Sequence, residues 1–144
     1  MTDIGAQIKR LTLNNAGVAG LVGTHMYSDG TPQDASRVRG NIPAITYRII
    51  DTVPNESLSG IVNVSRSRVE ISAISDSRGE ANDLAELIRT ALQRQHRGTT
   101  DGVYIHEITL ATGAQYLVER EPPLMGSAIR FYVTTQDFFV TYRI

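Results

Sequence analysis

Between Ser65 and Gly98 the spacing of apolar residues changes period once. In SRSRVEISAIS, Val69, Ile71 and Ala73 alternate with Arg68, Glu70 and Ser72, the pattern of a strand with one buried face. Ala81, Leu84, Ala85, Ile88 and Leu92 then recur at helical spacing. Ser77 and Glu80 stand three apart at that boundary, as in a capping box, and Gly98 is the expected end of the helix. Upstream, Asp3 to Val22 reads as helical, with Ile4, Ile8, Leu11 and Leu21 on one side. Asn14, Asn15 and the glycines at 17, 20 and 23 divide it into two short pieces.

The remaining segments read as extended. Met26 and Tyr27 form a short strand candidate ahead of a polar, turn-rich stretch reaching Asn41. Ala44 to Asp51 alternates Ile45, Tyr47 and Ile49 against Thr46, Arg48 and Ile50. Asp51 to Gly60, with Pro54 and Asn55, is either a long loop or a projecting hairpin. Val103 to Ala111 is a further strand, Thr112 to Ala114 a turn, and Tyr116 to Glu121 is extended until Pro122 and Pro123 stop it. Ile129 to Thr135 and Phe138 to Arg143 supply a closing strand pair or one long strand. The expected class is α+β: one domain over residues 1–144, with a mostly antiparallel sheet, one long central helix packed on one face and an N-terminal helical segment. Apolar residues on both faces of several strands, as at Ile49 and Ile50 or Phe138 and Phe139, suggest that a partner subunit buries part of the second face.

Composition narrows the use of this fold. At 144 residues the chain can bury roughly two thirds of its unfolded surface without a metal or disulfide staple. It contains no cysteine, which removes disulfides, thiolate nucleophiles and the commoner zinc sites. Neither a secretory leader nor a bilayer-length apolar run is present, so synthesis in a cytoplasm and no membrane contact are expected. A formal net charge of −1 argues against a dedicated nucleic-acid binder. Thirteen of the 14 basic residues are arginine, which fits either GC-rich coding or planar contacts between protein surfaces.

Candidate chemistry is sparse. His25, His96 and His106 fall in three separate elements, with Glu107 the one adjacent carboxylate, and no nucleophile elbow or phosphate loop is present. An enzyme, a small α+β hydrolase or transferase, would need those histidines to converge with Glu107. No cofactor is expected. Arg66, Arg68 and Glu70 share one strand face, either as a solvated face with local ion pairs or as a surface meeting a neighbour's carboxylates or a DNA channel. Phe131, Tyr132, Phe138, Phe139 and Tyr142 are expected in the core, with a minor share at an interface.

The segments AGVAGLVGTHMYSDGTPQD, NIPAITYRII, SRSRVEISAISDSRGEANDLAELIRTAL and RFYVTTQDFFVTYR, in that order and spacing, resemble the tail-completion proteins of long-tailed bacteriophages, which include tail terminators and head-to-tail joining proteins. The resemblance implies a non-enzymatic virion protein at the head-proximal end of the tail, assembled in the host cytoplasm. It implies a homo-oligomeric ring, commonly a hexamer, that caps the tail tube protein, halts tube polymerisation and joins the head connector or neck protein, with DNA passing through the lumen unrecognised. The segment from Pro54 to Arg66 becomes a candidate for contact with a neighbour or the tube. Arg48, Glu56, Arg66, Arg68, Glu70 and Arg130 are the candidate interface residues.

Overall fold

The protein was analysed as a computed structural model that describes residues 4–28, 43–57, 60–93, 98–100, 102–111, 117–121 and 131–143. Its elements in chain order are α1 (Ile4–Leu13), α2 (Ala16–Val22), β1 (Met26–Ser28), β2 (Ala44–Ser57), β3 (Gly60–Ser75), α3 (Arg78–Gln93), β4 (Gly98–Thr100), β5 (Val103–Leu110), β6 (Leu117–Glu121) and β7 (Phe131–Arg143). The class is α+β. Seven strands make one sheet in the order β1-β2-β3-β7-β5-β4, with β6 also on β7. The sheet is mixed: β1 joins β2 in parallel and the other pairs run antiparallel. β5 and β6 lie end to end along one edge of β7, Leu110 opposite Phe138 and Leu117 opposite Thr135.

One hydrophobic core lies between the sheet and the three helices among the described residues. Val69, Ile71 and Ala73 of β3 and Phe138 and Val140 of β7 meet Leu84, Ala85, Ile88 and Leu92 of α3, with Ile4 and Ile8 of α1 and Val18 and Val22 of α2 closing the sides. The helical spacing in 81–92 thus buries the residues it predicts. Asn15 caps α2 by accepting from the Val18 amide at 3.1 Å, so the asparagine pair does divide the N-terminal segment. Gln136 of β7 ties the sheet to α3, its Nε2 donating to the Ala85 carbonyl at 2.8 Å.

Several boundaries differ from expectation, each for a physical reason. Of the two expectations for Asp51 to Gly60, the projecting hairpin holds and the long loop does not, because β2 continues to Ser57 and β3 starts at Gly60, opposite it. β3 pairs with β7 only as far as Val64, opposite Arg143, so the pairs Glu56↔Ile61 and Ser57↔Gly60 belong to a two-stranded arm. Residues 60–63 carry that arm about 13 Å beyond β7. Among the described residues Pro54 has no neighbour on the β1 side of β2, since β1 pairs with Ile45 to Tyr47, and on an open side no amide donor is needed. α3 is described to Gln93, and Gly98 opens the short strand β4 rather than ending the helix. The closing segment is a single strand, β7.

The capping box is also rearranged. Glu80 N–H donates to Ser77 Oγ at a long 3.5 Å, while Ser75 Oγ accepts from the Ser77 amide at 3.2 Å and donates to the Glu80 carboxylate at 2.8 Å. Ser75, fully buried at the end of β3, relays the two halves.

Candidate functional site

The helices occupy one face of the sheet, so β3, β7, β2 and β5 turn their other residues outward. On β3 those are Arg66, Arg68, Glu70 and Ser72, alternating with buried Ser67, Val69 and Ile71. The register places them in rows. Thr46, Ser72 and Thr135 form a hydroxyl row, in which Ser72 Oγ and Thr135 Oγ1 are 3.0 Å apart. Arg48, Glu70 and Asp137 form the next; Asp51, Arg68 and Phe139 follow; then come Val53, Arg66, Thr141 and Glu107. Arg143 and Tyr104 oppose each other at the end nearest the projecting arm.

Four of the six residues singled out from sequence, Arg48, Arg66, Arg68 and Glu70, are therefore brought together on this outer face. Arg48 donates from Nη2 to Glu70 at 3.3 Å, an exposed pair of small energetic weight. Arg68 donates to Asp137 from both Nε, at 3.0 Å, and Nη2, the two bonds converging on one oxygen, Oδ2, of a carboxylate side chain only 17% exposed. Arg66 takes a different partner, its guanidinium carbon lying 3.9 Å from the Phe139 ring centroid. Arg143 lies over Tyr104 at 5.5 Å. Glu56 is placed on β2 by its backbone in the arm, its side chain outside the described residues, and Arg130 lies outside them altogether.

Asp137, Phe139, Tyr104 and Arg143 are members of this face that sequence reasoning did not assign to it. Phe138 and Phe139 fall on opposite faces, as apolar residues on both faces of the strand suggest; Phe138 is fully buried and Phe139 faces outward, so the core placement expected of both holds for Phe138. The one-long-strand alternative for this segment, which β7 follows, puts Asp137, Phe139, Thr141 and Arg143 in a single outward row. A bulge between Ile49 and Asp51 leaves Ile50 43% exposed, and Val53 is 53% exposed beside Arg66.

The histidines do not converge. His25 adjoins β1, and His106 sits in a bulge of β5, edge-on to Tyr104 at 4.7 Å. Four strand spacings separate β1 from β5 in the sheet order, on the order of 19 Å. His96 lies outside the described residues, and among those described no three His, Asp or Glu side chains gather as a metal site would require. No helix of the described residues is long and apolar enough to cross a membrane.

Comparison with solved structures places this α+β architecture beside a chain from the virion of a native gene transfer agent particle. The TM-score is 0.64 over 95% of this chain and 92% of that one, and at 14% identity the likeness is one of fold. No curated protein matches by sequence. A family model described as tail completion protein gp17 matches residues 6–125, and the chain belongs to that family. It is a structural protein of bacteriophages, and its place is the tail of the virion.

Proposed function

We propose that this protein forms a homo-oligomeric ring, commonly of six copies, that caps the completed tail tube, ends its polymerisation and joins the tail to the head connector. Membership of the tail-completion family, matched over residues 6–125, is the observation that supports this reading. The outer face supports it: arginines, carboxylates and aromatic rings are ordered there by register and pairing, while all three helices pack on the other side. A ring follows from joining unlike surfaces of identical subunits, and closure is what prevents a filament. One ring face matches the last tube layer; the other differs and presents nothing on which a further layer can polymerise. DNA passes through the lumen without specific recognition, and the protein acts without catalysis or cofactor.

The test is complementation of a phage lacking this gene. Wild-type protein is expected to restore tails of uniform length joined to heads. Restored infectivity with tails of unregulated length would contradict the terminating role.

A further inference from the structure

We infer that the arm-proximal end of the outer face, built on Arg66, Arg143, Phe139 and Tyr104, docks a second copy of this chain through the exposed stripe of α3 around Asp83. The inference rests on the ring reading above and names the contact by which one subunit holds the next.

Arg66 and Arg143 differ from the other two arginines of the face. Arg48 and Arg68 spend donors on Glu70 and Asp137, whereas among the described residues neither Arg66 nor Arg143 has a carboxylate within ion-pair distance. Both are exposed, and each is laid against a ring, at 3.9 Å on Phe139 and 5.5 Å on Tyr104. Ring contact orients a guanidinium plane and leaves its edge N–H groups open, so little side-chain entropy remains to be lost on binding. Register puts the two side by side, because Arg66 opposes Thr141, two residues from Arg143 on the same face of β7. Glu107, opposite Thr141 on β5, shares the face but lies outside pairing distance. Val53 adds exposed aliphatic surface beside Arg66. Arginine, aromatic rings and a small apolar margin are the composition of an interface anchor.

The complementary charge lies on the opposite side of the same chain. α3 buries Ala81, Leu84, Ala85, Ile88 and Leu92 against the sheet, so Asp83 and Glu86 stand on its exposed stripe, with Asp76 exposed just before the helix. Asp83 has no ion-pair or hydrogen-bond partner among the described residues. The sheet separates this stripe from Arg66 and Arg143, so a subunit cannot satisfy its own arginines with it. A neighbour can. Contact between two different surfaces leaves one of each free on every subunit added, which is the arrangement that propagates until a ring closes.

The test compares wild type with R66E/R143E, with D83R, and with the swap R66E/R143E/D83R, by light scattering over a concentration series and by thermal unfolding. All four are expected to melt alike, since the substituted side chains are exposed. R66E/R143E and D83R are each expected to raise the protein concentration needed for assembly at least tenfold, and the swap to restore much of it. Rings formed by R66E/R143E at wild-type concentrations would overturn the inference and leave the ring reading standing. Weakened assembly that the swap fails to repair would overturn α3 as the partner surface. Intact rings with DNA retention lost in the virion would assign the arginines to phosphate instead. A wild type that forms no ring, alone or on purified tails, would overturn both readings.

Discussion

Glu70 and Asp137 stand opposite one another across β3 and β7, and each is met by a different arginine. Acidic residues facing each other across a strand pair, with Cβ atoms about 5 Å apart, repel, so the arginines do unequal work. Arg68 holds the less exposed acid with two donors on one oxygen; Arg48 reaches its acid from solvent. Asp137→Ala is expected to lower unfolding stability by about 1 kcal/mol, because it leaves a half-buried guanidinium without its partner. Glu70→Gln should stay within about 0.5 kcal/mol, the lost pair being offset by relief of like charge. Urea denaturation orders the two, and equal losses would contradict this account. The alternation around Val69 is enough to put Arg66, Arg68 and Glu70 on one face. Their partners were illegible because the contacts join β3 to β2, 22 positions earlier, and to β7, 69 positions later, and no local period encodes either distance.

At the scale of the element, the join between β3 and α3 shows how far a motif reads. Ser77 and Glu80 have capping-box spacing, but buried Ser75 holds both ends, taking the Ser77 amide and donating to the Glu80 carboxylate. Ser75→Ala is therefore expected to cost about 1–2 kcal/mol, more than Ser77→Ala, whose Oγ makes one long bond. Thermal unfolding distinguishes them, and a larger loss at Ser77 would restore the simple box. The projecting arm was harder to read for a related reason. Strand alternation reflects a covered face, and the Glu56↔Ile61 pairing lies past the last β3–β7 pair, Val64 opposite Arg143. Its root is nonetheless anchored: Thr52 and Ser67 hydroxyls are 2.9 Å apart, and Ser67 donates to the Tyr142 hydroxyl at 3.1 Å, linking β2, β3 and β7. Ser67→Val removes that link from a fully buried position and should destabilise by about 1–2 kcal/mol, with arm amides exchanging faster than those of the central sheet.

For the whole molecule, the α+β class and the face taken by the helices follow from the two periods, since an amphipathic helix and half-buried strands must share one core. The strand order is not visible that way, because β7 enters between β3 and β5 through contacts set by no neighbour in sequence. That order also decides the histidines: it places His25 and His106 at opposite sides of the sheet. Alanine at His25, His96 and His106 together is expected to leave both assembly and tail completion unchanged in the complementation assay. Loss of completion with assembly intact would favour a catalytic role.

The most direct test of the central claim is the absolute mass of the wild-type protein by light scattering across a concentration series, alone and with purified tails, with negative-stain images of the largest species. The account predicts a closed species of about six copies of the 15.8 kDa chain, with a central hole, seated at one end of each tail. A monomer that neither assembles at high concentration nor forms rings on tail ends would contradict it.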